Sequence, residues 1–418
     1  MVGARCAGSP FAMLLARKGC RVLLLDRDRF PSDMPMSTHL VHARGIHLLR
    51  KWGLLGEIVA TQCLPVQRAR IDLGAFSLSG EFPPVEGMVA GYAPRRVLLD
   101  QILVRAAERA GAELRSGHTV EEILFEDGRA SGVRGRADGC GPFSARARFV
   151  VGADGPGSRV AHVARAVEYD SRPALQGTAW TYWSGVPFEP GFRLYLREYE
   201  AVYAFSTSDR QLLVGVNWAI DRFKLARRNL APSYFEVLAR VAPDLRAEIA
   251  AGRQEEPLTA GSTRSFFRRP WGPGWALIGD AGYKKDPCTA QGMTDAFLDA
   301  DRLAAVLGDV LDGRLPEGET LSRFHRERDE WAKPFYDLTC EMARFAPPTP
   351  ESTALYEALR SQPEEVSRFL GLITEAASPT EFFAPDHIGP ILGAAGIAKA
   401  DAAADRGSKL NRNRTVLV

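Results

Sequence analysis

The sequence predicts an α/β chain: a doubly wound, parallel-sheet unit, an antiparallel sheet inserted into it, and a helical C-terminal region. Three observations lead there. Gly3-Ala4-Arg5-Cys6-Ala7-Gly8 runs into a helical stretch and then an apolar strand, and helical and strand patterns go on alternating to about residue 165. Between about 168 and 265 the pattern becomes short strands of aromatic and small residues. After Asp301 helical spacing takes over.

Taken in order, Phe11 to Lys18 reads as a helix closed by Gly19, and Arg21-Val22-Leu23-Leu24-Leu25 as a buried parallel strand ending in Asp26. A carboxylate about 20 residues beyond a glycine turn is placed to accept hydrogen bonds from ribose hydroxyls, while the helix start offers N–H groups to a pyrophosphate. The second glycine of the usual fingerprint is Arg5 here. Met1-Val2 are too few for the strand that normally precedes such a turn, so either upstream residues complete it or the chain is shortened there. Leu98 to Gly111 reads as an amphipathic helix, Glu113 to Phe125 as strands around a turn, and Asp127-Gly128-Arg129 as a hairpin. Trp180, Tyr182, Trp183, Tyr195, Tyr203 and Phe205 mark the inserted sheet, most of them as core and the rest lining a cavity. Phe324, Trp331, Phe335 and Leu338 keep helical spacing across a break expected at Pro334. Pro347-Pro348-Thr349-Pro350 marks a linker, and the polar tail through Lys409 to Arg414 is expected to be mobile.

Composition removes several function classes. The 418 residues exceed what one core usually serves, and 45% hydrophobic content is ample for burial. A formal charge of +2, from 53 basic and 51 acidic residues, gives no field to recruit nucleic acid or an anionic membrane. No apolar run reaches the roughly 18 residues of a membrane span, and no charged-then-apolar leader stands ahead of the first motif. The six cysteines are scattered without CxxC spacing, which argues against a disulfide framework and points to a cytoplasmic location. No His and carboxylate set has metal-ligand spacing, so no metal is expected, and no Gly-x-Ser-x-Gly elbow is present.

Two further segments narrow the reading. Val150-Val151-Gly152-Ala153-Asp154-Gly155-Pro156-Gly157-Ser158-Arg159 resembles the Asp-Gly motif of the flavoprotein aromatic hydroxylases, the para-hydroxybenzoate hydroxylase superfamily. Trp275-Ala276-Leu277-Ile278-Gly279-Asp280-Ala281-Gly282 resembles that family's second flavin motif. The resemblance covers about the first 310 residues. It implies a Rossmann-like FAD-binding domain (1–75, 95–167 and 266–310), an antiparallel substrate-binding sheet (76–94 and 168–265) and a C-terminal helical region (311–418). It also implies that Asp280 contacts the ribityl chain, that Pro287 lies against the flavin ring, and that the backbone at Gly292 and Met293 approaches its pyrimidine end. Arg44 would touch FAD and assist nicotinamide binding, and Arg96, with Arg95 as competitor, would face the ribityl or phosphate. Arg27 and Val120 complete the expected cofactor set with Gly3, Arg5, Cys6, Ala7, Gly8, Asp26, Asp154, Gly155 and Gly279.

The activity implied is hydroxylation: NADPH or NADH reduces FAD, dioxygen adds at the flavin C4a position, and the hydroperoxide transfers oxygen to an electron-rich aromatic substrate. His39, His42 and Lys284 are the candidate catalytic groups, either histidine being able to donate to a substrate oxygen or act as a base. Asp286-Pro287, however, is closer to flavin-dependent halogenases and geranylgeranyl reductases. Trp180-Thr181-Tyr182-Trp183 does not match the halogenase Trp-x-Trp-x-Ile-Pro signature. The order is therefore monooxygenase, then reductase or dehydrogenase, then halogenase, then a flavin-free binding protein.

Overall fold

The computed structural model describes residues 1–395, so the expectation for Lys409 to Arg414 lies outside the described residues. Its parallel sheet brings the three sequence motifs to one edge. Leu23–Asp26 pairs in parallel with Glu113–Ser116, and Val150–Gly152 in parallel with Trp275–Leu277. Between these halves stands Val2, bridged in parallel to both Leu25 and Gly152. Val2 N–H donates to Val151 O at 2.9 Å, Leu25 N–H to Met1 O at 3.0 Å, and Gly3 N–H to Leu25 O at 2.8 Å. Two residues thus carry the ladder across the place where a full strand was expected.

Helix Gly8–Arg17 packs Phe11, Ala12, Met13 and Leu15 into a core shared with Arg96–Arg109 and the long helix Gly292–Leu311. The hairpin falls where Asp127-Gly128 predicted it, between His118–Glu126 and Arg129–Ala137, with φ of 49° and 76° at its two central residues.

The second unit is an eight-stranded, mostly antiparallel sheet. Its central strand Gln176–Ser184 alternates as a strand must: Trp180 and Tyr182 enter one core, Ala179 and Trp183 the other. The first face is covered by the C-terminal helices Pro350–Leu359 and Pro363–Ile373, the second by Leu230–Val241 and Pro243–Ala250.

Three expectations change. The large sheet already includes Arg68–Asp72, which pairs with Phe192–Arg197, so it starts ahead of the expected division at residue 76. Residues 220–250 are largely helical, their spacing having been hidden beside the aromatic alternation of the strands. Helix Glu317–Met342 runs unbroken through Pro334. An internal proline costs about 3 kcal/mol, which burial of Phe335, Tyr336 and Leu338 offsets.

Candidate functional site

The three motifs touch through their glycines. Gly3 has φ of 95°, and a Cβ there would lie 2.4 Å from Ala153 O. Gly279 has φ of 57°, and a Cβ there would lie 3.0 Å from that of Ala7. Backbone therefore approaches backbone where the first segment meets the second, and the third segment's backbone packs against the Ala7 methyl of the first. Asp26, 8% exposed, accepts Ala4 N–H at 2.7 Å on one oxygen and Asp28 N–H at 2.9 Å on the other, leaving lone pairs on both. Helix Gly8–Arg17 has no side-chain cap and no acidic residue in its first turn. Ser9 N–H already donates to Arg5 O at 3.0 Å and Phe11 N–H to Ala7 O at 3.3 Å, and Pro10 has none, so Gly8 N–H and the helix dipole are what this start offers a pyrophosphate, and with Asp26 the residues present fit a dinucleotide cofactor.

Arg5, standing where a glycine was expected, turns its guanidinium aside: Nη1 bonds Asp100 at 2.6 Å, and Nη2 bonds Asp28 at 3.0 Å and Ser32 Oγ at 3.0 Å. Arg96 forks onto the same Asp100 at 2.9 to 3.1 Å, and Asp280 is near enough to act on its charge. Cys6 Sγ donates to Asp100 at 3.4 Å. Arg95 instead reaches Glu256 at 2.5 Å across the Tyr182 ring, so of the two it is Arg96 that turns toward the glycine turn.

Other expected site residues are placed as follows. Pro287 and Gly292 are exposed beside the third motif, Met293 is half-buried, and Arg27 is exposed. Val120 is core, packed with Val2 and Leu25. Asp154 accepts from Ser158 Oγ, Arg159 N–H and Val160 N–H, so its side chain caps the next short helix, while Gly155 takes the turn with φ of 80°. Arg44 stacks on Trp331 and donates to Glu375 O at 3.0 Å. Lys284 pairs with Asp280.

The histidines divide. His39 is closed off: Nδ1 faces Ala93 O at 3.1 Å, so it carries the proton, and Nε2 accepts from Tyr182 OH at 2.9 Å. Burial, then the charge of Arg95, pushes it down to about 3. Contrary to expectation it has no free nitrogen for a substrate. His42 Nε2 donates to Thr289 O at 2.8 Å, burial lowers its pKa, and its ring lines a cavity.

That cavity is a narrow slot between the large sheet and the Pro287–Thr289 turn. Leu40, Phe82, Phe192, Leu194, Phe205 and Ile373 make it apolar. Gln176, Thr178, Tyr203 and Asn217 add polar groups from the sheet, with Thr178 opposite Asn217 in register, and Thr38, His42 and Thr289 add others. Sequence reasoning reached Tyr203, Phe205 and Pro287 but missed Gln176, Asn217 and Ile373, which long-range pairing alone assembles.

A second missed group is buried at the start of the long helix. Lys285 Nζ lies 2.8 Å from Glu375 Oε1 and 3.1 Å from Asp295 Oδ2, with all three side chains at most 6% exposed. Burial raises Asp295, and the facing Glu375 pushes it well up; burial opposes the charge of Glu375 too, but Lys285 holds that carboxyl below its usual range. Gln291 Nε2 donates to Ile373 O at 2.8 Å, so the C-terminal segment is fastened beside the third motif.

Comparison with known proteins agrees with this geometry. The family described as FAD binding domain matches residues 1–339. Digeranylgeranylglycerophospholipid reductase 1 of Methanopyrus kandleri is 28% identical over 355 residues, covering 82% of this chain and 88% of the relative. The flavin-dependent brominase Bmp2 shares the fold with a TM-score of 0.75 at 17% identity, over 94% of this chain and 96% of its own. The probable FAD-dependent monooxygenase pqsL of Pseudomonas aeruginosa does so with a TM-score of 0.67 at 21% identity, over 89% and 97%. With the glycine contacts, Asp26 and the uncapped helix start fitting the cofactor that this match requires, the chain belongs to the FAD binding domain family and is an FAD-dependent oxidoreductase.

Proposed function

We propose that the protein is an FAD- and NAD(P)H-dependent monooxygenase that hydroxylates an aromatic or polycyclic small molecule. The slot carries this reading: its apolar walls meet Pro287, the residue expected against the flavin ring, and a few polar side chains stand among them. Gly3 and the start of helix Gly8–Arg17 would hold the pyrophosphate, Asp26 the ribose and Asp280 the ribityl chain. FAD, when bound, supplies the hydride acceptor and the site of dioxygen activation. The chain's own part is to hold a flat ring against Phe192, Phe205 and Leu194 and to exclude water. His42, neutral and anchored to Thr289, orients that wall.

A reductase of the geranylgeranyl type is the second reading, favoured by Asp286-Pro287 and the reductase of Methanopyrus kandleri, since an apolar slot also suits an isoprenoid chain. Turnover of a phenolic and polycyclic panel under isotopically labelled dioxygen, with NADPH or NADH and chloride present, separates the readings. Product carrying one labelled oxygen, with substrate-stimulated nicotinamide oxidation, is expected. An unlabelled two-hydrogen change would replace the proposal with the reductase, and incorporated chlorine with a halogenase.

A further inference from the structure

At and just behind the wall of the slot, two buried oxygens have no hydrogen-bond partner among the described residues. Gln176 is 2% exposed, its Nε2 donates to Asp286 Oδ1 at 2.6 Å, and its Oε1 has no hydrogen-bond partner. Asp286, 1% exposed, accepts Cys288 N–H at 3.1 Å on the same Oδ1, while its Oδ2 is left without a partner. The carboxylate decides which way the amide points, because only the NH₂ end can face it. Oε1 is therefore the atom that Gln176 has to offer, and Gln176 lines the slot. The neighbouring hydroxyl is already engaged, since Thr178 Oγ1 lies 3.2 Å from Val216 O and 3.1 Å from Tyr203 OH.

We propose that Gln176 selects the substrate by accepting a hydrogen bond from a hydroxyl or N–H on a planar aromatic ring, with Asp286 as the positioning residue that fixes the amide. The proposal rests on the aromatic-substrate reading above. An all-carbon ring in the slot leaves Oε1 unpaired, which is costly for a buried acceptor; a ring bearing a donor satisfies it. Sites that present a buried polar group discriminate strongly against ligands lacking its partner, whereas apolar walls do not.

The test uses FAD-loaded protein titrated with 2-naphthol and 2-methoxynaphthalene, which share a ring system but differ in the donor, read by perturbation of the flavin absorbance. The wild type should bind 2-naphthol about tenfold more tightly. Gln176→Leu keeps the ring contacts and should bring the two affinities within about twofold, chiefly by weakening 2-naphthol. Asp286→Asn frees the amide to turn over and should reduce the preference with FAD content unchanged. Equal affinities in the wild type, or a preference that survives in Gln176→Leu, would overturn the proposal while leaving the aromatic reading intact, because the ring still binds. Failure of both compounds to bind the wild type overturns both. Should Gln176→Leu not retain FAD, an undiminished preference in Asp286→Asn overturns the positioning role.

Discussion

Two charge clusters flank the flavin unit, and they reach balance in different ways. At the glycine turn, Arg5 and Arg96 converge on Asp100, a carboxylate with no exposed surface, and only the 40%-exposed Asp28 adds a second anion. At the start of helix Gly292–Leu311, Asp295 and Glu375 share Lys285 alone. With Asp28 the first cluster sets two cations against two carboxylates, one buried and one half-exposed. The second has a carboxylate to spare and answers by keeping a proton on Asp295. One balances its charges by ion pairs that turn Arg5 aside, the other by a proton that lets it seal the C-terminal segment onto the flavin unit without net charge.

Breaking the first cluster should have the largest effect. Asp100→Asn removes the only fully buried counter-charge of two guanidinium groups, and an uncompensated buried charge costs about 3–5 kcal/mol. Urea unfolding of the FAD-loaded variant should show that loss. A cost under about 1 kcal/mol would mean that Asp28 and solvent already balance Arg5 and Arg96.

The same contrast explains what the sequence discloses. Gly3, Gly155 and Gly279 are legible because close backbone approach or positive φ admits few residue types, and Asp26 because it ends an apolar strand after the glycine turn, so each requirement is written locally. Arg96 is legible by its place at a helix start, although its partner Asp100 is not. Lys285, Asp295 and Glu375 are not legible at all: a helix start, a turn before it and a segment some 80 residues later must meet before their charges matter. Gln176 fails for the same reason, since its meaning comes from Asp286 across 110 positions. The aromatic alternation gave the sheet, but not the partner strand Arg68–Asp72 nor the helices on its back, because period-2 spacing marks faces and not neighbours.

A pH experiment sharpens the second half of the comparison on the same helix. Asp299, one turn beyond Asp295, accepts Gly279 N–H at 2.9 Å, and burial pushes it from 3.8 up to about 6, against the charges of Arg328 and Arg302 and with that of Asp329. The folded chain thus keeps a proton that the unfolded chain loses first. Stability from this group is full below pH 3.8 and is lost as pH rises through about 6, a change of about 3 kcal/mol. Asp299→Asn retains an acceptor for Gly279 and has no such proton. Between about pH 4 and 7 its stability should therefore gain on the wild type by about that amount, measured by denaturant unfolding at each pH. A constant difference across the range would show that the carboxyl is not carrying the proton.

The smallest single effect is expected at Glu375. In Glu375→Gln the lysine loses its closer partner, yet Asp295 Oδ2 stands 3.1 Å away, its pKa raised by burial and then by the charge of Glu375. Removing Glu375 lets Asp295 ionise in its place, so Lys285 keeps a counter-charge and the loss should be about 1 kcal/mol. The double variant Glu375→Gln, Asp295→Asn leaves the ammonium, 2% exposed, with neither carboxylate and should cost about 3–5 kcal/mol. The excess over the two single changes is the signature of a shared cation. If Glu375→Gln alone already costs as much as the pair, Asp295 cannot take over, and the spare carboxylate is not what distinguishes this cluster from the one at the glycine turn.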